Sequence, residues 1–345
     1  YPAYRLLIKI TKKSNYSSYF FIVNYTLFII NQSLNRRCMK SQLIRMLTLI
    51  ILCSFNTSNA SENALEFEHT IVNYNASVQG VDPKQAYFIS LLALALDKSA
   101  SRYGTFQMRA AMINMPQSRT LKMLAENKNI DVAWSMTSIE REAQLQAVYI
   151  PLLKGLMGYR IGIIRKGDQP QFDQLTSLED LKKILMGQGL DWPDTNILNS
   201  NGFNVVPGPE KSLISMLLKN RFDYYPRALF EPWRDLARHS ELVLEKNILI
   251  RYTAPIYFFV SKDNPRLAER IEYGLRVAID DGSFNAMFYN HPITDGMLEK
   301  SELDKRKEFV LHNPLLSEKS ASLLDEPKLW LTIKTATSIA VPLYK

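Results

Sequence analysis

What most limits the fold is an alternation. From residue 66 onward, short apolar segments of strand character exchange with segments of helical period: strand 66–74, helix 87–98, strand 107–112, helix 117–126 and strand 130–134. A long apolar run, 157–165, follows and ends in the turn Lys166-Gly167-Asp168. A second set then begins: helix 177–184, a Gly-rich turn at 186–189, strand 203–206, helix 211–219 and strand 222–225. It closes on another long apolar run, 248–260, a helix at 265–280 and the turn Asp281-Gly282-Ser283. Strands alternating with helices of this length predict parallel α/β units. The expectation is therefore an α/β fold of two lobes, each a mostly parallel sheet flanked by helices. The two long runs would cross between the lobes and leave a cleft.

Charge is unevenly placed. Residues 1–60 carry eight Lys or Arg and no Asp or Glu, so 34 basic and 34 acidic residues remain beyond them and the formal +8 belongs to that leader. Met39-Lys40 opens a short basic segment, 46–55 is an apolar core, and Ser58-Asn59-Ala60 is a small-x-small cleavage signal. Residues 39–60 thus read as a secretory signal peptide, too short in its apolar core to span a bilayer. Residues 1–38 are expected to be an upstream extension outside the native product. Both cysteines, Cys38 and Cys53, fall within these leading segments, so the remaining 285 or so residues offer no disulfide, thiolate metal site or cysteine nucleophile. Balanced charge after residue 60 also removes the usual argument for nucleic acid as a partner.

The most informative local stretch is 129–151. The strand 130–134 stops at Ser135, Thr137 and Ser138, hydroxyl residues able to cap a helix over 140–146, with Arg141 in its first turn. Free N–H groups at a helix start, the helix dipole and a planar guanidinium together suit a carboxylate or phosphate. The other reading is a capped helix with Arg141 in a surface ion pair to Glu140 or Glu142. Trp134 and Trp192 are candidates to stack on a ligand or close the cleft, or simply to pack. Arg119, at a strand's carboxyl end, is a candidate cleft residue or a helix-start charge, and Tyr74 a candidate ligand-facing aromatic or a packing residue. Asp131 and Asp223 are expected to fix turns. Of Tyr224 and Tyr225, one should face the cleft and one the core.

Catalytic and metal chemistry find little footing. His69, His239, His291 and His312 stand at unrelated spacings, and Gly187-Gln188-Gly189 lacks the remainder of a phosphate loop. Carboxylate acid-base chemistry with Glu231 or Asp191 is the enzymatic alternative. No cofactor, metal or catalytic residue is expected.

Four blocks in order carry a resemblance. They are 121–149, with Ser138-Ile139-Glu140-Arg141 before a Tyr-x-Pro segment; 177–189; 213–225, with Asn220-Arg221-Phe222-Asp223; and 257–287, with Ser261-Lys262-Asp263-Asn264-Pro265 and Asp281-Gly282-Ser283-Phe284. Over roughly residues 66–292 the chain resembles the periplasmic solute-binding proteins of amino-acid ABC transporters, family 3, which have the type II periplasmic binding fold. The resemblance implies a discontinuous first lobe, 61–160 with 256–330, a second lobe, 161–255, and an uninterpreted tail, 331–345. It implies a small-molecule ligand, capture in the periplasm by a monomer, and delivery to an inner-membrane permease or a sensor protein.

Carried over by position, Arg141 is the carboxylate clamp, and Trp134, Ser135, Thr137 and Ser138 line the first-lobe wall. The chain departs from the family where an acid for the ligand's ammonium is usual: that position is Ala228, beside Arg227, and the second-lobe turn reads Gly189-Leu190-Asp191-Trp192-Pro193-Asp194-Thr195. Arg141 and Arg227 on facing lobes would suit a dicarboxylate, unless Glu231 or Asp191 neutralises Arg227. The charged segment 299–309 is read as a helix which, with 313–316, packs on the first lobe.

Overall fold

Two parallel strands open the chain's ordered part. β1 (Thr70–Ala76) runs beside β2 (Phe106–Met112), in register Thr70 to Phe106 through Ala76 to Met112. A single bridge from Tyr74 to Val132 carries the sheet on to β3 (Ala133–Met136). β3 then pairs antiparallel with β11 (Ile256–Val260), which pairs on its other edge with β4 (Gln146–Val148). Every residue of β11 is buried, as a strand with neighbours on both edges and helices over its faces requires. The helices Pro83–Lys98 and Pro265–Asp280 cross closely at Gly274, where any Cβ would lie 1.8 Å from the Ala95 carbonyl oxygen. Leu91, Leu92 and Leu96 of one helix and Ile271, Leu275 and Ala278 of the other are buried.

The computed structural model describes residues 69–76, 83–112, 115–331, 333 and 337–340, the last four as backbone. The leader and the upstream extension expected over 1–60 lie outside the described residues. Among those described, no helix is long and apolar enough to cross a membrane.

The second-lobe sheet is built around β5 (Tyr159–Arg165), whose residues Arg160 to Ile164 are all buried. β8 (Tyr225–Ala228) lies antiparallel on one edge. β9 (Leu242–Leu244) and β10 (Ile248–Arg251) share the other, also antiparallel. β6 (Leu185–Gly189) and β7 (Asn204–Gly208) are parallel and join through a bridge between Met186 and Tyr224. Beyond β10, β12 (Lys307–Val310) and β13 (Thr337–Ala340) add in parallel. This sheet contributes Ile161 and Ile164 to the main core, and a smaller separate cluster is formed by Ile163, Leu213, Leu217, Phe222, Tyr225 and Leu242.

Several expectations change. The sheets are mixed rather than mostly parallel, because β5 and β11 each return through their lobe and take antiparallel neighbours. The apolar run 248–260 is two strands in two sheets, broken at Tyr252-Thr253-Ala254-Pro255. The expected Gly-rich turn at 186–189 is β6: its glycines mark close approach, since a Cβ on Gly187 would meet the Phe222 ring at 2.2 Å and one on Gly189 the Trp192 ring at 2.3 Å. The charged helix over 299–309 stops early, at Ser301, and 307–310 fills the open edge of β10 instead. The 313–316 segment does meet the first lobe, where the Leu315 carbonyl accepts from the Ile139 N–H at 2.8 Å.

Candidate functional site

A cavity of about 240 Å³ with mixed polar and apolar walls lies between β3 and β5. First-lobe walls come from Lys84, Gln85 and Phe88 of the helix Pro83–Lys98, Gln117, and Trp134 to Met136 of β3. Second-lobe walls come from Arg160 of β5, Trp192 to Asp194, Glu210, Phe230 and Glu231. A neighbouring chamber of about 210 Å³ shares Gln85, Gln117, Trp134 and Glu210 and adds Asn75, Thr120 and Leu121.

On the first lobe the turn forms as its sequence dictates. Ser138 caps the helix Ile139–Gln144, its hydroxyl accepting from the Arg141 N–H at 3.2 Å. The Arg141 guanidinium folds back over the strand it follows: it donates to Ser135 Oγ at 2.6 Å, the Met136 carbonyl at 2.7 Å and Gln117 Oε1 at 3.2 Å. It also reaches across to the second lobe, donating to the Asp191 carbonyl at 3.4 Å. Burial lowers the Arg141 pKa, although Asp194, Glu140 and Asp191 pull the other way, and a guanidinium stays charged throughout. Arg141 has no ion-pair partner among the described residues, so the pairing with Glu140 or Glu142 does not form.

Thr137 sits below this turn, buried, its hydroxyl bonded to Glu142. Trp134 stacks on Phe88, with ring centroids 5.4 Å apart and 21° between the planes, and presents its remaining surface to both chambers. Tyr74 packs against the core and Asn75, next along the strand, faces the smaller chamber instead. Arg119 is exposed on its helix and lines neither chamber; Gln117, two residues earlier, lines both.

The second lobe corrects the sequence reading most. Arg227 is buried away from the cavity, its guanidinium 5.3 Å from the Trp192 ring centroid and 3.1 Å from Glu231 Oε1. Its remaining bond goes to Tyr225 Oη at 3.0 Å. Arg227 is therefore neutralised, and the two-arginine argument for a dicarboxylate falls. Glu231 gathers three cations: Arg227, Arg160 at 3.6 Å and, from the first lobe, Lys84 at 3.4 Å. Burial alone would raise its pKa, but Arg227, Lys84 and Arg160 hold it at about 2. Held ionised, Glu231 is unsuited to serve as a general acid. Asp191 is exposed and accepts from Ser118 Oγ at 3.1 Å, so it links the lobes at the cleft rim without lining the cavity.

Sequence reasoning missed Arg160, Asp194, Lys84 and Glu210. Arg160 is fully buried, paired with Asp194 at 2.5 Å, and Tyr252 donates to the same carboxylate. Burial opposes the Arg160 charge, yet Asp194, Tyr252 and Glu231 raise its pKa overall. An Arg at the inner end of an otherwise apolar strand was the available signal, because a charge is buried only with a partner. Neither Tyr224 nor Tyr225 faces the cleft; both are buried within the second lobe, against Phe172 and Phe222 respectively. Asp131 and Asp223 do have structural partners, but on distant strands rather than within their turns: Asp131 accepts from the Asn73 N–H at 2.7 Å, and Asp223 from Arg165 at 2.7 Å. No group of three or more His, Cys, Asp or Glu able to hold a metal occurs among the described residues.

No protein-family model matches the chain, and no curated protein matches it in sequence. Among solved structures it matches amino-acid-binding components of ABC transporters over about two thirds of its length, at low identity. A periplasmic binding protein of Salmonella typhimurium with high arginine specificity is 15% identical, with TM-score 0.48, over 63% of this chain and 97% of that one. A putative ABC-transporter binding component from Wolinella succinogenes, complexed with lysine, is 14% identical, with TM-score 0.47, over 68% and 99%. A histidine kinase sensor domain similar to periplasmic binding proteins is 17% identical, with TM-score 0.48, over 65% and 96%.

Proposed function

We propose that this chain is a periplasmic solute-binding protein that captures a small carboxylate-bearing solute between its lobes, as a monomer, and hands it to an inner-membrane ABC importer. The observation that carries the reading is the two-walled cavity with Arg141 directly behind its first-lobe wall, bonded to the lining residues Ser135 and Gln117 and without an ion pair among the described residues. The two cations that line the cavity itself each have a carboxylate: Arg160 has Asp194, and Lys84 has Glu231. An uncompensated guanidinium beside a cleft is completed by an anionic ligand group, and its planar fork matches a carboxylate. Trp134 and Trp192 offer flat apolar surface for the ligand's body. The bodies that close on it are the first lobe, built on β1 to β4 and β11, and the second, built around β5 and carrying β12 from the C-terminal part, and the leader 39–60 directs export.

The test is a thermal-shift screen against amino acids, dicarboxylates, polyamines and sugars. A ligand at about 100 times its Kd should add roughly 2.7 kcal/mol of stability. Carboxylate-bearing solutes should raise the midpoint, and Arg141→Met should abolish the shift. A response to sugars alone, or one untouched by Arg141→Met, refutes the reading.

A further inference from the structure

Behind the hinge lies a second cavity, of about 280 Å³, where β5 begins and β10 ends. Tyr159, Arg251, Tyr252 and Thr253 form one side; Lys154 and Gly155 form the floor; Pro327, Trp330 and Leu331 of the C-terminal segment cover it. That cover is built in. The Leu331 N–H donates to the Lys154 carbonyl at 2.9 Å, and the indole N–H of Trp330 donates to the Leu323 carbonyl at 2.6 Å. Gly155, at φ +81, admits the Trp330 ring, which would lie 2.6 Å from any Cβ there.

The charges of this cavity do not balance. Lys154 is 6% exposed, and its ammonium makes one hydrogen bond, to the Lys328 carbonyl at 2.8 Å, with the Phe284 ring 5.8 Å away. It has no carboxylate among the described residues, two of its three donors are unused, and burial lowers its pKa. Arg251 pairs through Nε with Glu308, leaving its two terminal nitrogens without a hydrogen bond among the described residues. Two cations therefore face the cavity with three aromatic rings, and one of them, Lys154, has no carboxylate among the described residues, while Arg251 is paired through Nε with Glu308 behind the lining.

We propose that this cavity is a second binding site, for a small planar anion: a carboxylate on an aromatic or otherwise flat apolar body. Its charged end meets Lys154 and the free edge of Arg251, which removes the cost of an enclosed unpaired ammonium. Its flat body lies against Trp330 and Tyr159. The site is separate from the interlobe cavity, although Tyr252 belongs to both neighbourhoods: its ring walls this cavity, while its hydroxyl holds Asp194 of the Arg160 pair.

Benzoate is the probe, with benzamide and acetate as the uncharged and ring-free comparisons, followed by calorimetry and tryptophan fluorescence on the full chain. Benzoate should bind saturably. Benzamide, acetate and the Lys154→Met variant should each bind at least about tenfold more weakly, the scale of one charge-assisted hydrogen bond or one stacked ring. Arg141→Met should leave benzoate binding unchanged, which separates this site from the interlobe cleft. Thermal midpoints and far-ultraviolet dichroism check that each variant folds, and Lys154→Arg, which keeps the charge, should retain binding if Lys154→Met fails to fold. Equal binding of benzamide, unchanged binding in folded Lys154→Met, loss of binding in Arg141→Met, or no saturable benzoate binding each overturns the proposal.

Discussion

Replacing Glu231 by Gln removes one negative charge while keeping shape and volume, so the effect isolates electrostatics from packing. The carboxylate sits 3.1 Å from Arg227 and 3.6 Å from Arg160, both fully buried, and 3.4 Å from the half-buried Lys84. It also accepts the Ala228 N–H at 2.9 Å, a bond that the Gln amide oxygen can keep. Arg160 retains Asp194, but Arg227 loses its only paired carboxylate, and breaking a buried pair this way costs about 3–5 kcal/mol. The same three cations hold the Glu231 carboxyl down at about 2, against an ordinary value of 4.5, which is the same effect expressed as a proton affinity. Because the folded pKa is depressed, this stabilisation is present above about pH 4.5 and is lost as pH falls through about 2. Urea denaturation of both proteins should therefore show a gap of about 3 kcal/mol at pH 7 that narrows between pH 4.5 and 2. A gap under about 1 kcal/mol at pH 7, or one that does not shrink on acidification, would refute the assignment of Glu231 as the hub of the second-lobe charges.

Three further outcomes follow from the same geometry. Gly274→Ala gains about 1 kcal/mol of helix propensity but drives a Cβ to 1.8 Å from the Ala95 carbonyl, so a net loss of roughly 2–3 kcal/mol is expected in urea titrations. Tyr252→Phe deletes the hydroxyl that serves Asp194, and the unfolding free energy should fall by about 1–2 kcal/mol with the fold unchanged by circular dichroism. Arg141→Lys keeps a charge but not the fork that spans Ser135, the Met136 carbonyl and Gln117; measured by calorimetry, ligand affinity should drop about tenfold or more.

How much of this was legible in the sequence depended on whether the deciding contact was local. The alternation of strands and helices, the turn at Ser138 and the Arg141 helix start rest on capping and periodicity within a few residues, and the structure keeps them. The 3.4 Å contact from Arg141 to the Asp191 carbonyl spans fifty residues and left no mark in either segment. Pairings over long separations decided the rest. β12 reads as helical and charged, yet Glu308 is matched by Arg251 and Phe309 is buried once β10 offers an open edge. Arg227 is open in the sequence between the cleft and neutralisation by Glu231 or Asp191, and only the turn from β8 into the next helix, which buries Glu231 3.1 Å from it, decides the point. The glycines of β6 read as a turn because the rings of Phe222 and Trp192 that need the space lie elsewhere in sequence.

The links between the lobes at the cleft rim are few and weak beside the pairs within each lobe, which sets what a ligand has to do. Ser118 to Asp191 at 3.1 Å, Arg141 to the Asp191 carbonyl at 3.4 Å and Lys84 to Glu231 at 3.4 Å are polar contacts that cross there among the described residues. The exposed Ser118–Asp191 contact and the long Arg141 contact contribute about 0–1 kcal/mol each, whereas Lys84 meets a carboxylate that Arg227 and Arg160 already compensate. Shifting a two-state equilibrium from almost wholly open to almost wholly closed takes about 5.5 kcal/mol of differential binding, and a micromolar ligand carries about 8 kcal/mol in all. A ligand that touches both walls can therefore command closure without exceptional affinity, and the rim contacts only bias it. Ser118→Ala, which removes one of them at an exposed position, should lower the unfolding free energy in urea by less than about 0.5 kcal/mol and weaken ligand binding by no more than about threefold. A tenfold loss of affinity with stability unchanged would mean that the rim latch, rather than the cavity, governs closure.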